Sequence, residues 1–282
     1  MKQDPPWTIE VHPRTGWLQL NLREVWQFRD LLGLLVRRDI VTVYKQTILG
    51  PLWFFIQPLL TTIVFTVVFG KIAGIPTDGI PQTLFYLTGL VLWQYFADCV
   101  RLTADAFTKN EQVFSKVYFP RVIVPMSIVV SNLVKFGIQF LLVLGFVAYY
   151  WWAGSAISFQ VELLLLPLLV MMAAGLGLGF GLVVSSLTFK YRDLNFLIQF
   201  GIQLAMYATP VIYPLSEAPE EYRTLILANP MSALIESFRY ALVGAGSFDW
   251  WRLAYSGGFM LVLLFVGMIV FTRTEKTFVD TV

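Results

Sequence analysis

An all-α protein that crosses a membrane several times is what this sequence predicts, and three observations carry the expectation. Of the 282 residues, 57% are hydrophobic and only 13% charged, and the mean hydropathy of +0.69 lies outside the balance of soluble domains. Apolar runs of roughly 20 residues recur, the length a helix needs to cross about 30 Å of hydrocarbon. Lys and Arg collect in alternate connections between those runs, as the positive-inside bias requires. The net charge of +2 makes no case for nucleic acid as a partner. One Cys and one His exclude an internal disulfide and a Cys/His metal cluster, and Cys99 reads as a small buried hydrophobe.

Residues 1–20 contain Pro5, Pro6 and Pro13 among charges and read as an irregular tail without the apolar core of a cleaved signal. From 21 to 48 the pattern becomes helical. Leu22, Val25, Trp26, Leu32, Leu35 and Val36 recur at spacings that share a face, with Arg23, Glu24, Gln27 and Asp30 between them. Such a helix either lies in the headgroup plane or packs on a partner. Gly50-Pro51 then turns the chain into a first span, 51–70, in which Pro58 predicts a kink.

Further spans are expected at about 84–104, 126–152, 161–189, 194–213 and 251–272, six in all. The second carries Gln94, Asp98 and Arg101 toward its end, which therefore faces protein or water. Residues 109–125 are too charged to cross. The third span contains Lys135 about nine residues in, roughly 14 Å along a helix, where its ammonium either snorkels back to the interface or faces a pore.

Placing both termini in the cytoplasm puts 15 Lys and Arg inside and four outside, with Lys135 within a span. That asymmetry sets the orientation.

The chemistry begins with what is missing. No G-x-x-x-x-G-K-[ST], H-E-x-x-H or G-x-S-x-G occurs, so the sequence has no P-loop to cradle a nucleotide and no familiar hydrolytic centre. The run Gly175 to Gly181 sits inside an apolar span, and its pairs Gly175/Gly179 and Gly177/Gly181 are spaced for close helix approach rather than for phosphate. Between the fifth and sixth spans, Asn229 can cap a helix that tolerates Pro230 at its first position and stops at Gly244. Glu236 and Arg239 are spaced i, i+3 for pairing on it. Residues 230–243 would be about 21 Å long, so this helix either enters the outer leaflet and returns or lies along the surface.

In the fifth span Phe196, Phe200, Gln203, Tyr207 and Pro210 recur every three or four residues and form one stripe. Tyr86, Trp93 and Phe96 offer a similar set in the second. Rings offer flat apolar faces that impose no register, and an amide can donate and accept, which suits the wall of a translocation path. Helix packing or an interfacial aromatic belt is the other reading.

Several segments resemble one family in its own order. Arg37-Arg38-Asp39, Tyr44-Lys45-Gln46-Thr47, Leu49-Gly50-Pro51-Leu52-Trp53 and Gln57-Pro58 resemble the start of permease subunits of bacterial ABC type 2 exporters of O-antigen, capsule and teichoic acid. Phe114 to Arg121 with Pro125 resembles the first cytoplasmic coupling loop, and Tyr191-Arg192-Asp193 the second. Asn229-Pro230 with Glu236 to Arg239 resembles the outer re-entrant hairpin, and so an outer gate. The resemblance starts at residue 21 and implies a single permease domain, 21–282, with outer re-entrant helices in 214–250 before the last span.

It further implies a homodimer in the bacterial inner membrane, an aromatic-lined channel at the dimer interface, and a polysaccharide, lipid-linked, as cargo. Two copies of a separate ATPase would bind ATP and Mg, leaving this chain without a cofactor or a catalytic role. Within the loop, Val113, Phe114, Val117, Tyr118 and Phe119 beside Lys116 and Arg121 mix apolar anchors with a charged rim, as docking on that ATPase needs. A basic loop lying on anionic lipid is the alternative.

Two other classes compete. A secondary transporter needs midplane carboxylates or His, yet Asp98, Asp105 and Glu162 all lie near predicted span ends. A membrane-embedded glycosyl- or acyltransferase needs a convergent acid/base or metal set, and no cluster in sequence supplies one.

Overall fold

The computed structural model describes residues 22–45, 49–110, 119–155, 157–191 and 193–281, and among them every regular element is helical. The amphipathic segment forms two helices, α1 (Leu22–Gln27) and α2 (Arg29–Lys45), broken at Phe28. Leu35 is buried, and Val25, Phe28, Leu31 and Leu32 pack with it against Phe107, Phe119, Ile123, Leu182 and Phe271. Trp26, on the same predicted stripe, points away and is 70% exposed. The stripe therefore docks largely on the chain's own helices.

Helix α3 (Trp53–Phe65) passes without a break into a π-helical stretch, Thr66–Ile72, and together they make a 20-residue apolar rod. Its outer surface is unpartnered among the described residues: Leu60, Ile63 and Val64 are 55%, 47% and 55% exposed. A turn-rich loop leads to α4 (Gln82–Ala104), where Gln82 Nε2 donates to the Gly70 carbonyl at 3.0 Å and ties the two helix ends together. After the short α5 (Ala106–Lys109) come α6 (Ile123–Trp152), a 3₁₀ turn Val161–Leu165 continuing into α7 (Leu166–Lys190), and α8 (Leu194–Tyr207). Helices α9 (Glu220–Ala228) and α10 (Pro230–Val243) precede the long α11 (Trp250–Thr281).

Helix α7 is the centre of the bundle, with its most extensive contacts to α4 on one side and α11 on the other. The glycine run explains how one helix serves two neighbours so closely. A Cβ on Gly177 would lie 2.6 Å from Cys99 Cβ, and one on Gly181 would lie 2.5 Å from Thr103 Cβ, both in α4. Gly175 and Gly179 instead face Met260 and Leu263 of α11. Residues two apart point to opposite sides of a helix, so the two overlapping i, i+4 pairs form two separate seams.

Among the described residues, four stretches are long and apolar enough to cross a membrane: Trp53–Ile72, Ile123–Trp152, Val161–Lys190 and Trp250–Thr274. The remaining two expected spans differ for identifiable reasons. Helix α4 has 23 residues, about 35 Å, but eighteen of them are buried, so neighbouring helices shield its polar residues. Helix α8 has 14 residues, about 21 Å, and ends at Tyr207, where the chain turns through Pro210 to Tyr213.

Candidate functional site

At the end of the bundle opposite α2, the α9/α10 hairpin is packed into the protein. Asn229 Oδ1 accepts from the Met231 N–H at 3.0 Å, Pro230 occupies the first turn, and Gly244 closes α10 at φ 75°. Every residue of α10 except Tyr240 is buried, so it is neither a surface helix nor merely amphipathic. Arg239, with no exposed surface, holds it there. Its Nη1 donates to Glu236 Oε1 at 2.9 Å, its Nη2 donates to the Pro210 carbonyl at 2.9 Å, and its guanidinium carbon lies 3.7 Å from the centre of the Phe85 ring. Glu236 Oε2 accepts from the Ser247 N–H at 3.1 Å. One guanidinium thus joins α4, the turn after α8 and α10, while its carboxylate partner secures the loop into α11. Gly89 makes room for it, since a Cβ there would stand 3.0 Å from Arg239 Nη2.

At the α2 end, a second network surrounds Asp98 of α4. Lys135 Nζ meets its Oδ2 at 2.5 Å, Gln94 Nε2 donates to its Oδ1 at 2.7 Å, and Arg101 Nη1 approaches the same oxygen at 3.4 Å. Nearby, Arg38 pairs with Asp39 at 2.9 Å and reaches Asn110 Oδ1 at 3.5 Å, while Ser131 Oγ lies 3.4 Å from Asp39 Oδ2. Asp105 accepts from Asn195 Nδ2 at 2.6 Å and pairs with Lys109 at 2.8 Å. These contacts connect α2, α4, α6 and the start of α8. The Lys135 partner was missed in sequence because Asp98 is 37 residues away. Depth along the helices gives only a loose hint, since Asp98 lies six residues from the end of α4 and Lys135 twelve residues from the start of α6.

The similarity to known proteins decides the family. The description of ABC-2 type transporters matches residues 30–243, from the start of α2 to the last residue of α10. The chain belongs to the ABC-2 type transporter family. It is 30% identical over 266 residues to the O-antigen export system permease protein RfbA of Myxococcus xanthus, covering 93% of this chain and 98% of that protein. It is 28% identical over 252 residues to the RfbA protein of Klebsiella pneumoniae, covering 89% and 94%. The polysialic acid transport protein KpsM of Escherichia coli is 24% identical over 247 residues, covering 85% and 91%.

In this ABC-2 family chain the expected site residues fall into distinct environments. On α8, Phe196, Phe200 and Tyr207 are 80%, 58% and 47% exposed and Gln203 is exposed with them, leaving Ile202 as the helix's one buried residue. Tyr86, Trp93 and Phe96 do not join that face: they are 0%, 3% and 7% exposed. Phe65 packs edge-on against Tyr86, and Phe180 edge-on against Phe96. The comparison with the α8 stripe is therefore corrected: in this chain these three rings are core, because α4 is enclosed on nearly every side.

Of the expected coupling residues, Phe114, Lys116, Tyr118 and Arg192 lie outside the described residues. Phe119 and Arg121 are 4% and 8% exposed, so Phe119 is an internal anchor of the α2 end rather than an outward-facing contact. Tyr191 and Asp193 are exposed beside the end of α7. Of the residues expected at an outer gate, Glu236 and Arg239 form the buried pair, and Asn229 and Pro230 start its helix, with the Pro230 carbonyl accepting from Ser256 Oγ at 2.8 Å.

Proposed function

We propose that this chain is the transmembrane subunit of an ATP-driven exporter that moves a polysaccharide, O-antigen in type, across the bacterial inner membrane. The observation that carries the reading is similarity along nearly the whole length to permeases named for O-antigen export, at 98% and 94% of their lengths. The likeness to KpsM keeps a capsule-type polymer within the same substrate class. Energy comes from a separate ATPase, since this sequence has no P-loop, and ATP and Mg bind there.

The chain crosses six times, with both termini in the cytoplasm and the hairpin toward the outside. Helix α4 crosses behind its neighbours, and α8 reaches the outer hairpin through the turn at Pro210. A second copy covers the unpartnered faces of α3 and α8, which are too apolar to face water. Segment 109–125 and the Tyr191–Asp193 turn meet the ATPase. Its movement passes through α5 to α8: Arg38 reaches Asn110 after α5, Asn110 donates to the Ala106 carbonyl, and Asp105 before α5 holds Asn195. The glycan, attached to a lipid, passes along the α8 stripe, where rings can stack on sugars in any register and Gln203 meets hydroxyls.

The test is reconstitution with the ATPase in vesicles, measuring ATP-dependent movement of a lipid-linked polymer. Phe200→Cys, Gln203→Cys and Tyr207→Cys, each in a Cys99→Ala background, should react with an impermeant thiol reagent more during turnover than at rest. Transport by the isolated chain without an ATPase, or equal labelling at lipid-facing Leu197, overturns the assignment.

A further inference from the structure

An open cavity of about 550 Å³ lies between α2, α4 and α6 at the basic end of the bundle. Four cations, Arg38, Arg101, Lys109 and Lys135, line it with three carboxylates, Asp39, Asp98 and Asp105, leaving one positive charge in excess. The pairing is incomplete where it matters. A guanidinium has five N–H donors, yet Arg101 makes a single contact of 3.4 Å and its side chain is 40% exposed. Lys135 spends one of its donors on Asp98.

The uncharged lining has an apolar wall of Ile40, Phe54, Leu102, Ile128 and Val134, together with the polar Thr42, Asn110, Ser131 and Asn132. A soluble anion would leave that wall wet. An amphiphile with one negative charge and a hydrocarbon start would match both halves, and the position beside an amphipathic helix is where a bilayer presents such molecules.

We propose that this cavity binds the phosphodiester headgroup of an anionic membrane phospholipid. Arg101 takes the phosphate in its fork with help from Lys135, a geometry guanidinium favours over ammonium. Phe54, Leu102, Ile128 and Val134 cover the first carbons of the acyl chains. The carboxylates orient the cations and exclude a second anion. A bound lipid thereby adds a further bridge among α2, α4 and α6, which already meet through the Leu35 cluster with Ile123, the Lys135–Asp98 pair and Ser131 Oγ 3.4 Å from Asp39 Oδ2.

The full-length protein, in nanodiscs of phosphatidylcholine with phosphatidylglycerol, is photolabelled with a phosphatidylglycerol carrying a diazirine near its first acyl carbons. Labels are mapped by peptide mass spectrometry. They should concentrate on the Leu102 and Ile128–Val134 segments, and Arg101→Gln should lower labelling there about tenfold, the worth of a charge-assisted hydrogen bond. Arg101→Lys should fall between. If Arg101→Gln does not fold, the wild-type map decides.

Labels spread evenly onto lipid-facing Leu141 and Leu144, or equal labelling by the phosphatidylcholine analogue, overturn the proposal. Full displacement by glycerol phosphate means a soluble-anion site, and co-purified polyprenyl phosphate in place of glycerophospholipid means a cargo-carrier site. Either result also overturns it.

Discussion

Removing the charge from Arg239 tests whether the outer hairpin is held by its ion pair. In Arg239→Met the stem is kept, but Glu236 loses its partner in a site where its side chain is only 3% exposed, and the Pro210 carbonyl loses its donor. Breaking a buried pair from one side costs about 3–5 kcal/mol. The Ser247 N–H still serves Glu236 Oε2, which places the expected loss near the lower end. Glu236→Gln with Arg239→Met removes both charges and should recover about 1–3 kcal/mol of that loss through the coupling of contacting residues. Arg239→Lys keeps the charge but cannot span Glu236, Pro210 and the Phe85 ring at once, so it should fall between wild type and Met. The assay is survival of the monodisperse peak in detergent after heating, read as a rank order because membrane proteins commonly unfold irreversibly. An Arg239→Met protein as heat-resistant as wild type, or a double variant no better than the single one, refutes the reasoning.

Gly177→Ala and Gly181→Ala should each cost about 1–3 kcal/mol by overpacking the α4–α7 seam; because the Gly177 clash is with Cys99 Cβ, Cys99→Gly should relieve it and Cys99→Ser should not, in the same heating assay. Lys135→Met should lower the yield of assembled protein by stranding Asp98, and adding Asp98→Asn should restore it; normal assembly of Lys135→Met alone would mean that the 2.5 Å contact contributes nothing. Phe200→Ala with Tyr207→Ala should reduce export severalfold at unchanged expression, since both flat apolar faces offered to sugar C–H groups are lost; unchanged export of a labelled polymer would remove α8 from the path.

Much of this protein is local, and what is local was legible in the sequence. Apolar run lengths gave away the membrane rods, and the Asn229-Pro230 start with the Gly244 stop located α10 to the residue, because caps depend on neighbours only a few positions apart. The glycine spacing announced close packing for the same reason. The chemistry of the rings on α8 was also readable, but not which aromatic set would be exposed.

Tertiary structure alone decided the partners. Lys135 meets Asp98, Arg239 reaches Pro210 and Phe85, and Tyr86, Trp93 and Phe96 turn inward. Each outcome depends on how far one helix is rotated and slid against another, and periodicity leaves both quantities open. A helix with apolar residues on every side, such as α4, carries no stripe to say which face meets lipid, so its place in the middle of the bundle emerges only when α3, α6, α7 and α10 close around it.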